Sequence, residues 1–437
     1  RAVEVVAGDQ HAGTAEVDQR QRLLGVAAAL LLDAGKRIGG LQRVGVEGLD
    51  GPQDAGLDRA DEFGLADALV ESRQHLDGFR LGNPGKGVTD PEERRPSFHS
   101  LGRNKLDITV DITQPKAQDV IGRLVTQSDV VFENFTPGVL ARAGLDYPAL
   151  RRFNPQLVMV SLSSAGQRGP LSNIVVYAPA MSALAGADSV MGYRDGPLAG
   201  LRSGYGDATA AAYAVVAVLT ALLHRNRTGQ GQYIDLSAWE ATATVLGQAF
   251  LEYVLTRRVP QPRGNWHPNM APHGNYRCKG DDRWVAIAVG SDGEWRSLCR
   301  VLGDPEWARD PRFATSDQRV LHAQALDKQL SQWTLNHTPQ EAAQMLQKAG
   351  VAAAPVITYA EQYEDPHFKA RHTYERLDHP LLPGEVVSGI PWKFSRTPGS
   401  LRRHAPFVGE HNGYIFSSLL GFTDLEFQEM AREGVIR

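Results

Sequence analysis

Asp207 is the residue whose type and setting most suggest chemistry. It follows Gly204-Tyr205-Gly206 and leads into the long apolar stretch DATAAAYAVVAVLTALLHRNR. An aspartate just before a helix is a favoured N-cap, and that role alone explains the local pattern. The same place suits a nucleophile. A helix start stabilises an ionised carboxylate through its dipole and free N–H groups, and flanking glycines let a substrate approach the backbone. Local sequence leaves both readings open. A second candidate is Glu133-Asn134-Phe135-Thr136-Pro137-Gly138, which follows a predicted parallel strand, where ligand crevices form in α/β sheets. Its plain alternative is a strand-to-helix turn with Asn as cap and Pro at the first helical position. Tyr177, taken alone, reads as a packing aromatic, and Cys278 and Cys299 as small buried hydrophobes. No GxxxxGK[ST], GxGxxG, HExxH, GxSxG or CxxC occurs, and no Cys or His cluster has zinc spacing. No metal is expected.

The elements that must hold these residues emerge from about residue 104. Ile108–Ile112 alternates like a strand, and a helical stretch opening at Pro115 carries Val120, Ile121, Leu124 and Val125 on one side. Asp129–Phe135 is β-rich, a second helical stretch runs through Leu140, Leu145 and Leu150, and Leu157–Ser164 reads as a buried strand. That alternation predicts a parallel sheet covered by helices. The stretch from Asp207 is apolar almost all round, which predicts a buried helix stopped at Thr228-Gly229. Gln232–Ser237 resumes as a strand and Ala238–Thr256 as a helix. A Pro/Gly-rich crossing follows Arg257, then a hairpin around Gly280-Asp281-Asp282, helices near Glu294–Leu302 and Pro339–Ala349, and a strand at Ala352–Ile357. That is a small α/β module. A last helix falls near Asp424–Arg432.

Composition narrows the function classes. The 437 residues are 42% hydrophobic and 22% charged, with a net charge of −4, which favours neither a nucleic-acid binder nor a polybasic membrane anchor. The apolar run Leu23–Leu32 falls short of the ~20 residues a membrane span needs. Two cysteines cannot staple a fold of this size, so a reducing cytoplasm is the expected compartment. Residues 1–90 contain no Trp, Tyr, Met or Cys, although the chain holds 7, 12, 6 and 2 of them. A disordered extension or a non-native reading frame would each give that composition, and residues 1–90 are expected to contribute no first strand to the main sheet.

Taken in order, several stretches resemble the family III CoA-transferases, the group that includes formyl-CoA and carnitine-CoA transferases. They are Asn104-Lys105, DVVFENFTPG (129–138), Asn154-Pro155, Gly169-Pro170, Gly206-Asp207, ALLHRNRTGQGQ (221–232), DPEWARDPRF (304–313) and Gly409-Glu410-His411. The resemblance covers about residues 96–437. It implies an α/β fold in which each subunit has a large Rossmann-like domain (96–256 and 358–437) and a small α/β domain with its linker (257–357), two subunits interlocking as a homodimer. Residues 1–95 form an atypical segment outside the pattern. By resemblance, Asp207 falls on the catalytic aspartate and Asn134, Phe135, Thr136, Arg142 and Tyr177 on CoA-binding positions. The implied reaction moves CoA from an acyl-CoA thioester to a carboxylic acid through a covalent aspartyl intermediate, with CoA thioester as substrate and no permanently bound cofactor. One alternative is an acyl-CoA racemase or isomerase on this fold. Those relatives place an acid-base aspartate shortly after the Gly-Pro loop, where this chain has Tyr177-Ala178-Pro179. The other is an inactive CoA-binding homologue, because of the atypical N-terminal segment.

Overall fold

The computed structural model describes residues 3–7, 99, 101–174, 176–194, 196–200 and 204–436. The chain divides into two compact units, one of residues 1–177, 206–241 and 370–437, the other of residues 178–205 and 242–369. The second unit thus takes in 257–357 together with flanking segments on both sides.

The first unit is built on a four-stranded sheet in the order β1 (Val3–Ala7), β2 (Ser128–Glu133), β3 (Val158–Ser163), β4 (Tyr233–Ser237). β2, β3 and β4 are parallel, as their continuous apolar runs predict. Successive side chains on a strand face opposite ways, and here both faces are covered. Val131 and Met159 join a core with helix α1 (Ala117–Thr126) and the C-terminal segment, while Val130, Val158 and Val160 pack against helix α2 (Tyr205–Thr228). Val120, Ile121, Leu124 and Val125 of α1 are each at most 2% exposed. Each contributes roughly 1.5–3 kcal/mol as an upper bound.

Three expectations need correction. Residues 1–90 do supply a strand: β1 pairs antiparallel with β2, so it is an edge strand and breaks the parallel order. The remaining expectations for residues 1–95 lie outside the described residues. Ile108–Ile112 is buried but joins no sheet. Its backbone donors go instead to the C-terminal segment, Thr109 N–H to Asn412 Oδ1 at 2.9 Å and Asp111 N–H to the Val435 carbonyl at 2.8 Å, with one isolated bridge from Val110 to Ile436. Helix α2 is also only half covered. Ala210, Ala214, Val218 and Leu222 line the sheet side, yet Val216 is 63% and Leu223 53% exposed in the single chain. By length and composition α2 could cross a membrane, but its inner face is packed on the sheet as a core helix would be.

The turn from α2 into β4 explains TGQGQ. Gly229 ends the helix with φ +73°, a conformation glycine adopts without strain. At Gly231 a Cβ would stand 2.1 Å from the Leu157 carbonyl oxygen, so glycine lets β4 close on β3. Arg225 near the end of α2 reaches Asp129 of β2 at 2.8 Å and ties helix to sheet.

In the second unit, β5 (His273–Arg277), β6 (Trp284–Ala288) and β7 (Ala352–Val356) form an antiparallel sheet. Helices at Asp292–Val301, Ala323–Thr334 and Pro339–Lys348 cover it around Trp295, Leu298, Leu326, Leu330 and Leu346. The predicted hairpin, helices and strand are all present. In the first unit the tail adds an unpredicted hairpin, β8 (Tyr374–His379) and β9 (Leu382–Ser388), and the predicted helix at Asp424–Arg432.

Candidate active site

In α/β sheets ligands bind beyond the carboxyl ends of the parallel strands, here those of β2, β3 and β4. At the end of β2, Glu133 is 4% exposed, and its Oε2 accepts the Phe135 N–H at 2.7 Å. Burial pushes its carboxyl above the ordinary range, against the opposing effect of its bonds to Ser161 and to the Phe135 amide. This buried clamp fixes the backbone of the 134–136 loop. The Asn134 amide is itself held, donating to the Leu162 carbonyl at 2.6 Å, while its residue stays exposed. Phe135 is 4% exposed and belongs to the sheet core, and its N–H is taken by Glu133, so only its carbonyl could face a ligand. Thr136 is half-buried, and its carbonyl accepts the Val139 N–H at 3.2 Å.

Neither Asn134 nor Pro137 starts the next helix. The short helix Val139–Arg142 is capped by Gly138 at φ +82°, where a Cβ would meet Arg142 Nη1 at 3.1 Å. This glycine lets the exposed Arg142 fold back over the loop.

Asp207 is not before its helix. α2 begins at Tyr205, which puts Asp207 in the first turn, so the N-cap reading does not hold. The side chain is open to solvent, but surrounding protein displaces enough water to push its carboxyl above the ordinary range. Desolvation therefore opposes the helix dipole that was expected to keep it ionised. Tyr177 is 50% exposed, which corrects its reading as a packing aromatic. The structure brings Asn134, Phe135, Thr136 and Arg142 together at the end of β2. No hydrogen bond or ion pair joins Asp207 or Tyr177 to that group among the described residues.

Sequence reasoning passed over the polar groups at the neighbouring strand ends. Ser163, 5% exposed at the last position of β3, has no partner for its Oγ, and the buried Gln167 Nε2 also has none among the described residues. The Gln167 N–H donates to Asp235 Oδ1 at 2.8 Å, which fixes the loop that carries it. Both are polar groups close to the carboxyl end of β3. Their only sequence signal is a Ser-rich strand end before Gly166. Among the described residues no group of three His, Cys, Asp or Glu could hold a metal ion.

The parallel strands β2, β3 and β4, with polar side chains at their carboxyl ends, make this an α/β protein. The model of CoA-transferase family III matches residues 68–412, beginning before residue 96, and the chain belongs to that family. It is 35% identical over 361 residues to the succinyl-CoA–D-citramalate CoA-transferase of Chloroflexus aurantiacus, covering 81% of this chain and 89% of that one. It is 33% identical to the succinate–glutarate CoA-transferase of Agrobacterium fabrum, covering 74% and 80%. Among solved structures, a CAIB/BAIF family protein from Brucella suis superposes with a TM-score of 0.70 at 33% identity, covering 78% and 89%. The protein is an enzyme that transfers CoA.

Proposed function

We propose that this enzyme moves CoA from an acyl-CoA thioester to a carboxylic acid, with Asp207 as the nucleophile. The observation that carries this reading is a solvent-open aspartate in the first turn of α2, made more basic by desolvation, in a chain of this family. A more basic carboxylate attacks more readily so long as it is ionised. The Asp207 carboxylate attacks the thioester carbonyl, the C–S bond breaks, and CoA leaves as thiolate from a mixed anhydride. The thiolate attacks the aspartyl carbonyl, expels the acyl group as carboxylate, and leaves an aspartyl-CoA thioester. The acceptor carboxylate attacks that thioester and releases thiolate, which then takes the acceptor's acyl group and frees Asp207.

Asn134, the Phe135 backbone, Thr136, Arg142 and Tyr177 would hold CoA, with the first unit acting as a Rossmann-like domain. Ser163 at the end of β3 and Gln167 in the loop after it, without side-chain partners among the described residues at Oγ and Nε2, would suit a polar part of the substrate. No permanently bound cofactor enters the scheme. The relatives named above act on succinyl or succinate groups, so succinyl-CoA is the donor to try first. A cytoplasmic location would suit such an enzyme, since it draws on free CoA thioesters.

Two such chains would pair as an interlocked homodimer. In support, α2 exposes Val215, Val216, Leu219 and Leu223, an apolar stripe of the kind that marks a protein interface. Incubating the protein with succinyl-CoA and then hydroxylamine tests the mechanism. The expected result is inactivation with a mass change on the peptide containing Asp207. A modified peptide elsewhere would overturn the assignment.

A further inference from the structure

The first unit contains a second recess, made where residues 104–107 grip the chain three hundred residues later. Asn104, at φ +63°, donates its amide to the Ser400 carbonyl at 2.8 Å. Its Oδ1 accepts the N–H groups of Arg402 and Arg403 at 2.7 and 3.1 Å. Asp107 Oδ1 accepts the Gly409 N–H at 2.6 Å, and its carbonyl accepts the His411 N–H at 3.0 Å. The recess between these clamps is a cavity of about 480 Å³, within the size range of small-molecule sites.

Its lining is strongly cationic. Lys105, Arg376, Arg402 and Arg403 face it, against Asp378 and Glu410. Glu410 is already engaged, its Oε2 accepting the Phe407 N–H at 2.8 Å. Arg376, Arg402 and Arg403 are exposed and form no ion pair with a described residue. His411 Nδ1 accepts the Asp107 N–H at 3.3 Å, which leaves Nε2 as the protonated donor on the neutral ring. Leaving Lys105 aside, three arginine forks face two carboxylates, one of them already bonded to the backbone, so the recess keeps positive charge for an anion. Arginine forks bind phosphate oxygens two at a time.

We propose that this recess is an anion site for a phosphate-bearing small molecule, separate from the residues assigned to CoA. None of its lining residues is Asn134, Phe135, Thr136, Arg142, Tyr177 or Asp207. Phosphates of CoA and of a second molecule share the same chemistry, and the test separates them.

Sodium pyrophosphate is titrated into the full chain by calorimetry, with and without excess CoA. Direct titration of CoA alone is run beside it. The expected result is saturable pyrophosphate binding that weakens with salt, keeps its affinity in excess CoA, and falls at least about tenfold in Arg402→Gln/Arg403→Gln. Both side chains are exposed and the Asn104 clamp uses their backbone N–H groups, so the double variant, which gives up only the Arg402 Nε bond to Ser400 Oγ at 2.8 Å, should fold. Arg376→Gln, on β8, is a second variant expected to weaken binding if the pair does not fold. Absent binding, unchanged affinity in folded variants, or displacement of pyrophosphate by CoA would each overturn the separate site. Failure of CoA itself to bind would instead count against the proposed transfer function.

Discussion

Replacing Asp207 with asparagine separates a structural carboxylate from a chemical one. Asp207 occupies the first turn of α2, and its side chain makes no hydrogen bond or ion pair with a described residue. Its structural value is then a carboxylate's interaction with the helix dipole, about 0.3–1 kcal/mol at an exposed site. Desolvation opposes even that, since burying part of the charge raises its pKa. The variant should unfold in urea within about 1 kcal/mol of wild type and bind CoA unchanged. Its transfer rate should fall by about a thousandfold or more, because an amide cannot form the anhydride. A thousandfold loss is about 4 kcal/mol of transition-state stabilisation, several times the structural term. The assay follows conversion of succinyl-CoA to the acceptor's CoA thioester by chromatography. In the wild type, the raised carboxyl pKa places an acid limb on the rate, activity falling as Asp207 protonates. That limb should vanish from whatever activity the variant retains. A folded Asp207→Asn protein that keeps transfer within tenfold of wild type would refute the reasoning.

The clamp at the end of β2 predicts that Glu133→Ala raises the KM for acyl-CoA more than it lowers kcat. An unpaired buried Phe135 N–H costs about 1–3 kcal/mol, and Glu133→Gln, whose carbonyl can still accept that N–H, should restore most of the affinity. Gly231→Ala should destabilise the first unit by several kcal/mol, read as a lower urea midpoint, because its Cβ would overlap the Leu157 carbonyl. Val216→Asp should convert the proposed dimer to a monomer of 47.6 kDa by light scattering, and a wild-type chain already monomeric would refute the proposed pairing. Burial lowers the pKa of His379, and also that of His411, below the ordinary 6.5, so both are held neutral in the fold. His379 also faces His99 and His404, which push its pKa down, and Glu385, which pushes it up. Stability from these groups is fully present above about pH 6.5 and lost as pH falls through their folded pKa values. The urea midpoint should therefore drop between pH 7 and 5, and an unchanged midpoint would count against it.

The parallel strands were legible because both their faces are buried, so VVF and LVMV read as unbroken apolar runs. Ile108–Ile112 shows the limit of that signal. Alternation announces burial, but the partner of this segment lies three hundred residues away and accepts its N–H groups through Asn412 and Val435. The α2 sequence misled in the opposite sense. Apolarity all round predicts burial all round, and a single chain covers only the sheet side. Ser163 and Gln167 were invisible because nothing distinguishes an orphaned serine hydroxyl from a paired one in sequence. The stretches that carried the resemblance divide physically once folded. Glu133, Phe135, Gly231 and Asp107 with Gly409 are spent on the frame, as buried clamp, core ring, close backbone approach and long-range tie. Asn134, Arg142, Tyr177 and Asp207 keep their side chains exposed on that frame. Asn134 is still tied to the frame through the Leu162 carbonyl, whereas the side chains of Arg142, Tyr177 and Asp207 make no hydrogen bond or ion pair with a described residue, and the proposed assignment to substrate therefore rests most on these three.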